Sequence, residues 1–111
     1  MARISTHVLD IALGRPAAGV AVELRFAGRA LREARTNADG RTGEPLLQAD
    51  QIDTGEYELV FRAGDYLRAS GQSEPLFFDR ISICFHVADP SGNYHVPLLL
   101  APHGYSTYRG S

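Results

Sequence analysis

Apolar residues recur at every second position in four separate stretches of this chain, and turn-forming residues separate the stretches. In "VAVELRF", Val20, Val22, Leu24 and Phe26 share one face while Ala21, Glu23 and Arg25 share the other. "YELVF" aligns Tyr57, Leu59 and Phe61; "ISICFHV" aligns Ile81, Ile83, Phe85 and Val87; "YHVPLLL" aligns Tyr94, Val96, Leu98 and Leu100. A period of two is the period of a β-strand with one face in a core, so a chain patterned this way folds as sheets. Between the strands lie "GRPAAG", "NADGRTG", "DTG" and "DPSGN", rich in the residues that supply turn backbone angles and local hydrogen bonds. Helix signal is confined to "GDYLRASG", where Asp65 can cap a short helix and Gly71 can end it. Seven or eight short strands and one short helix predict an all-β protein, a two-sheet β-sandwich.

The length of 111 residues fits one domain spanning residues 1–111. Eleven Arg, no Lys and a net charge of -2 give no general field for nucleic acid or an anionic membrane. No apolar run is long enough to span a bilayer, and the N-terminal "MARISTHVLDIALGRP" lacks a signal-peptide core, so the default address is cytoplasmic. With Cys84 as the lone cysteine, no intrachain disulfide can form.

The strand around His95 is unusual. Its second face carries His95, Pro97, Leu99 and Ala101, which is also largely apolar. One sheet of a sandwich covers the first face, and a chain this short has little left for the second, so a partner subunit is the natural cover. Pro97 counts against a regular central strand because it donates nothing to the ladder, and a bulge there would reconcile the two.

His7, in "ISTHVLD", falls opposite Ile4, Thr6 and Val8, and His95 falls opposite its own core face, so both histidines project from the sandwich. His86 has the same parity, and His103 sits in a turn. No HxxxH or CxxC spacing marks a zinc site, and the candidate ligands sit on separate segments. Cys84, between Ile83 and Phe85, reads as a small buried thiol, and no G-x-S-x-G turn presents a nucleophilic serine. Arg41 follows the "NADG" turn. Held at an interface, its planar fork suits adjacent carbonyls or a developing oxyanion.

The stretches "STHVLDIALGRPAAGVAVEL", "TNADGRTGEPLL" and "YHVPLLLAPHGYSTYRGS" resemble the transthyretin-related family, and more closely its 5-hydroxyisourate hydrolase branch. The closing Tyr-Arg-Gly-Ser is the specific part, since hormone-carrying transthyretins lack it and lack both strand histidines. The resemblance implies a transthyretin-like sandwich assembled as a homotetramer, a dimer of dimers with active sites at the dimer–dimer interface. It implies hydrolysis of the N1–C6 amide of the small-molecule substrate 5-hydroxyisourate in urate breakdown, without metal or cofactor. It also implies His7, Arg41, His95 and Ser111 as catalytic residues, and Tyr108, Arg109 and Gly110 as substrate-binding ones.

The chemistry of those residues is consistent with amide hydrolysis. A histidine near a pKa of ~6.5 can activate water or protonate a leaving nitrogen at neutral pH. Arg41 or Arg109 can hold carbonyls and the oxyanion. Which histidine is the base stays open at this level. Two other functions also stay open: a transthyretin-like carrier of a small ligand, and a structural β-sandwich acting by surface contacts.

Overall fold

The computed structural model describes residues 1–111 and contains two sheets that enclose one apolar core. The first sheet is built on β1 (Ala2–Asp10), β2 (Arg15–Pro16), β5 (Leu47–Ala49), β8 (Asn93–Ala101) and β9 (Gly104–Thr107). Its order is β2-β1-β8-β9, with β5 also paired to β1. The second sheet has the order β4-β3-β6-β7, from β3 (Ala21–Phe26), β4 (Arg29–Arg35), β6 (Gly55–Arg62) and β7 (Arg80–Val87). The alternating residues named above meet between the sheets. Val20, Leu24, Tyr57, Leu59, Phe61, Ile81, Val87, Leu98 and Leu100 are all essentially inaccessible. Thr6 joins them because its hydroxyl donates to the Val96 carbonyl at 2.7 Å, which satisfies a polar group in the core.

Nine strands form, more than the alternation suggests. The unread ones have a common cause. β2 and β5 span two and three residues, too few to show a period. β4, "RALREAR", is an edge strand open to solvent along almost all its length, so no core face patterns it.

The single helix, α1 (Ala63–Ala69), starts earlier than expected. β6 runs straight into it, with Arg62 at the cap position and no side-chain cap. The Asp79 carbonyl takes the Gly64 N–H at 2.8 Å, the donor that a capping side chain would have satisfied. Asp65 therefore lies in the first turn, where its charge suits the helix dipole, and does not cap. The helix ends where expected, with the Gly71 N–H donating to the Arg68 carbonyl.

The helix is tied to the first sheet by a buried contact. Tyr66 donates its hydroxyl to Asp10 Oδ2 at 2.6 Å, while Asp10 Oδ1 accepts the N–H groups of Ala12 and Leu13. Burial, with the Asp10 carboxylate beside it, pushes the Tyr66 pKa up to about 12, so the phenol stays a donor.

β1 and β8 lie parallel at the centre of the first sheet, in unbroken register from Arg3 opposite Asn93 to Asp10 opposite Leu100. The bulge expected at Pro97 does not form. β9 pairs with β8 from Ala101 back to Leu98, the ladder lapses at Pro97, and it resumes with His95 opposite Gly110 in the same register. Proline has no N–H to offer, so the sheet omits a rung there and keeps its alignment.

Candidate active site

Three short segments share the free edge of β1. β5 pairs at Ala2 to Ile4, β2 pairs at Leu9 and Asp10, and the turn Asn37 to Gly40 fits between them. Asn37 organises that turn: its side-chain oxygen accepts the Asp39 and Arg41 N–H groups, and its backbone N–H donates to the Arg41 carbonyl. The Val8 N–H donates to the Gly40 carbonyl at 2.8 Å. Only glycine fits there. Gly40 has φ +76°, and a Cβ would lie 2.3 Å from the Val8 carbonyl oxygen. Asn37 and Gly40 thus clamp the turn to β1 and fix where Arg41 leaves it.

The same turn holds His7. Its Nε2 donates to the Asp39 carbonyl at 2.8 Å. A carbonyl only accepts, so neutral His7 carries its proton on Nε2 and its lone pair on Nδ1. His95 is anchored differently. Ser5 Oγ lies 2.8 Å from His95 Nδ1, because parallel register sets Ser5 directly opposite His95. On its other flank His95 packs against Gly110, whose N–H donates to the His95 carbonyl at 2.7 Å.

Arg3, Ser5, Arg41, Glu44, Asn93, His95 and Ser111 line one open cleft of about 480 Å³. The Arg41 guanidinium has no ion-pair partner, which leaves its planar fork free for a ligand. Desolvation lowers the His95 pKa below the ordinary histidine value. The nearby Arg41 guanidinium, His7 imidazole and Arg3 guanidinium lower it further. His95 is consequently neutral at pH 7 and able to accept a proton.

The cleft therefore gathers Arg41, His95 and Ser111. His7 lies beside it on the same face of β1, outside the lining. Tyr108, Arg109 and Gly110 do not line it either. Arg109 folds to the other side of the sheet, with its guanidinium carbon 4.3 Å from the Tyr94 ring centre and Nη2 donating to the Asn93 carbonyl at 3.0 Å. Gly110 makes its close approach to the His95 ring rather than to the cleft. Tyr108 is largely exposed.

Arg3, Ser5 and Asn93 were not singled out by sequence reasoning. Their parity with His7 and His95 was visible, but nothing local showed that β1 and β8 are neighbours. Cys84 corrects an expectation, because it is exposed on the outer face of β7, opposite Glu58. Desolvation and the Glu56 and Glu58 carboxylates raise its pKa, which leaves little thiolate at neutral pH. A larger concavity, about 650 Å³, lies on the outer face of the second sheet. It is lined by charges of both signs, among them the ion-paired Arg25 and Glu23, and holds no histidine.

The architecture is a two-sheet β-sandwich that carries a histidine and an arginine together in one cleft on its outer face. The chain belongs to the HIUase/Transthyretin family, whose model matches residues 4–110. It is 51% identical to 5-hydroxyisourate hydrolase 2 of Rhizobium meliloti, over 98% of this chain and 96% of that protein. Among solved structures it resembles the 5-hydroxyisourate hydrolase of Klebsiella pneumoniae, with TM-score 0.88, 39% identity and 100% of both chains covered. Transthyretin from Sparus aurata shares the fold, with TM-score 0.84, 24% identity, and 97% and 96% coverage.

Proposed function

We propose that this chain is a 5-hydroxyisourate hydrolase that opens its substrate in the cleft between Arg41 and His95. A water oxygen adds to C6, the C6–N1 bond breaks, and N1 takes a proton. The product is 2-oxo-4-hydroxy-4-carboxy-5-ureidoimidazoline. The observation that carries this reading is an anchored histidine in the same cleft as an uncommitted guanidinium. His95 takes the proton of the attacking water. Arg41 holds the substrate carbonyls and the charge that builds on oxygen. Ser111 helps to position the water, and His7 supplies a second proton-transfer group from the neighbouring strand position. Gly110 and Arg109 hold the segment that carries Ser111 through their bonds to the His95 and Asn93 carbonyls.

The carrier alternative has only the fold in its favour, because likeness to transthyretin at 24% identity carries no ligand with it. The decisive experiment follows the ultraviolet decay of freshly made 5-hydroxyisourate with and without the protein. A carrier leaves the rate of decay unchanged, and a hydrolase accelerates it.

We also infer a homotetramer, a dimer of dimers, acting in the cytoplasm. The outward face of β8 supports the assembly. Leu99 and Ala101 on that face remain half-buried in the single chain, with apolar surface left to cover. Ile11, Leu13, Tyr105 and Tyr108 add exposed apolar area. No helix is long and apolar enough to cross a membrane. Sedimentation at working concentration tests the tetramer, and a monomer with full specific activity would overturn it. Fractionation of cells tests the location.

A further inference from the structure

Ser5 is the only hydrogen-bonding partner of the His95 ring within the chain. It is half-buried on β1, and its place is set by the backbone, since unbroken parallel register holds it opposite His95. We propose that Ser5 is a positioning residue for hydrolysis: its hydroxyl anchors His95 Nδ1 and leaves Nε2 as the nitrogen that exchanges protons in the cleft. This inference rests on the hydrolase reading above.

The chemistry follows from what each anchor can do. The carbonyl that holds His7 can only accept, so it permits one neutral tautomer. A serine hydroxyl both donates and accepts, so it keeps its contact with Nδ1 through every state of the ring. When His95 acts as base, Nδ1–H donates to Ser5 Oγ and Nε2 presents its lone pair to the water. Once Nε2 has taken the proton, the Nδ1–H donor is part of an imidazolium and its bond to Oγ becomes stronger. When Nε2 returns the proton to the departing nitrogen, the ring is back in its starting state and no side chain has moved. Held this way, the ring has one nitrogen committed and one free, which orients it for the reaction. The other charged or titratable groups around His95 are Arg3 and His7 on β1, with Arg41 and Glu44 on the loop beyond the turn. The positive ones oppose formation of the imidazolium, and the Ser5 contact opposes their effect.

Three proteins test it: wild type, Ser5→Ala and Ser5→Thr. Alanine removes the anchor, and threonine keeps a hydroxyl on a side chain well suited to a strand. Removing the anchor is expected to lower kcat ten- to a hundred-fold with KM nearly constant, and threonine is expected to restore most of the loss. The acidic limb of the Ser5→Ala profile moves to lower pH, because the imidazolium has lost its acceptor. Nitrogen-15 NMR of the ring gives a readout independent of turnover: the His95 Nδ1 and Nε2 shifts change in Ser5→Ala and return in Ser5→Thr. A raised KM with unchanged kcat and unchanged pH profile would make Ser5 a substrate contact and overturn the proposal. Unmoved His95 nitrogen shifts in Ser5→Ala would overturn it as well. A wild-type protein that fails to accelerate substrate decay would instead defeat the hydrolase reading, and the NMR comparison would still report whether the anchor exists.

Discussion

Gly110 lies so close to His95 that a Cβ built on it would sit 2.6 Å from the imidazole Cδ2 and 3.3 Å from Cγ. The glycine near the end of the chain is thus a seat for the histidine. Gly110→Ala must therefore move either the ring or the segment. We expect kcat to fall by about ten- to a hundred-fold while the fold persists, since a displacement of ~1 Å at a reacting group can cost ~100-fold. Turnover and circular dichroism on the same sample check it. Wild-type turnover in this variant would show that the ring can shift without consequence.

Arg41 acts through shape as well as charge. Arg41→Lys keeps the positive charge near His95 but loses the planar fork, so turnover should fall by ~100-fold with the acidic limb of the pH profile in place. Arg41→Gln removes the charge that helps to hold the His95 pKa down, so its acidic limb should move toward neutral pH. Comparing the two profiles separates the contributions. An Arg41→Lys variant within a few-fold of wild type would make Arg41 a surface charge.

Because the His95 pKa is lowered in the folded protein, its basic form persists further into acid than that of an ordinary histidine. The acidic limb of the wild-type rate profile should have its midpoint below the unperturbed value of ~6.5. Stability has the same sign. Below ~6.5 the unfolded chain binds this proton more readily than the folded one, so the contribution of His95 is lost as pH falls from there through its folded pKa. His95→Asn should abolish most activity and remove this limb, and His7→Asn should lose most activity with the limb retained. Stopped-flow rates across pH 4 to 8 (roughly the range that brackets histidine titration) decide it.

Arg109 and Ser111 should fail in different ways. Arg109→Ala loses the stacking on Tyr94 and the bond to the Asn93 carbonyl, so it should cost about 1–2 kcal/mol of stability. Ser111→Ala, in the cleft, should lower turnover with little change in melting temperature. Deleting Tyr108 to Ser111 combines both: the segment pairs with β8 at His95 and also seats that ring, so the shortened protein melts earlier and does not catalyse. Melting temperature, sedimentation and turnover on each variant separate the roles. A turnover loss confined to Arg109→Ala would reverse the assignment.

Much of this protein is legible in its sequence because a strand imposes a period of two on its residues. Alternation alone placed Val22, Leu24, Tyr57, Phe61, Ile83 and Leu98 in the core, and put His7 and His95 on the outer face of their strands. The turn chemistry of "NADG" likewise marked the bend that presents Arg41. The same parity puts Cys84 out of phase with Ile83 and Phe85, on the face of β7 that solvent reaches.

Tertiary structure decided which strands are neighbours. β1 and β8 are separated by most of the chain, and no local pattern records that they pair in parallel with Ser5 opposite His95. That register anchors one ring nitrogen and brings Arg3 and Asn93 to the cleft. It was also tertiary pairing that turned Pro97 into a missing rung without a bulge and sent Arg109 to Tyr94, away from the cleft. The physical reason is the range of the interactions. Which face a residue takes depends on its own backbone and nearest neighbours, so it is written in a few consecutive letters. Which side chains meet across a sheet depends on hydrogen bonds between segments far apart in sequence, and these exist only once both sheets have closed on their common core.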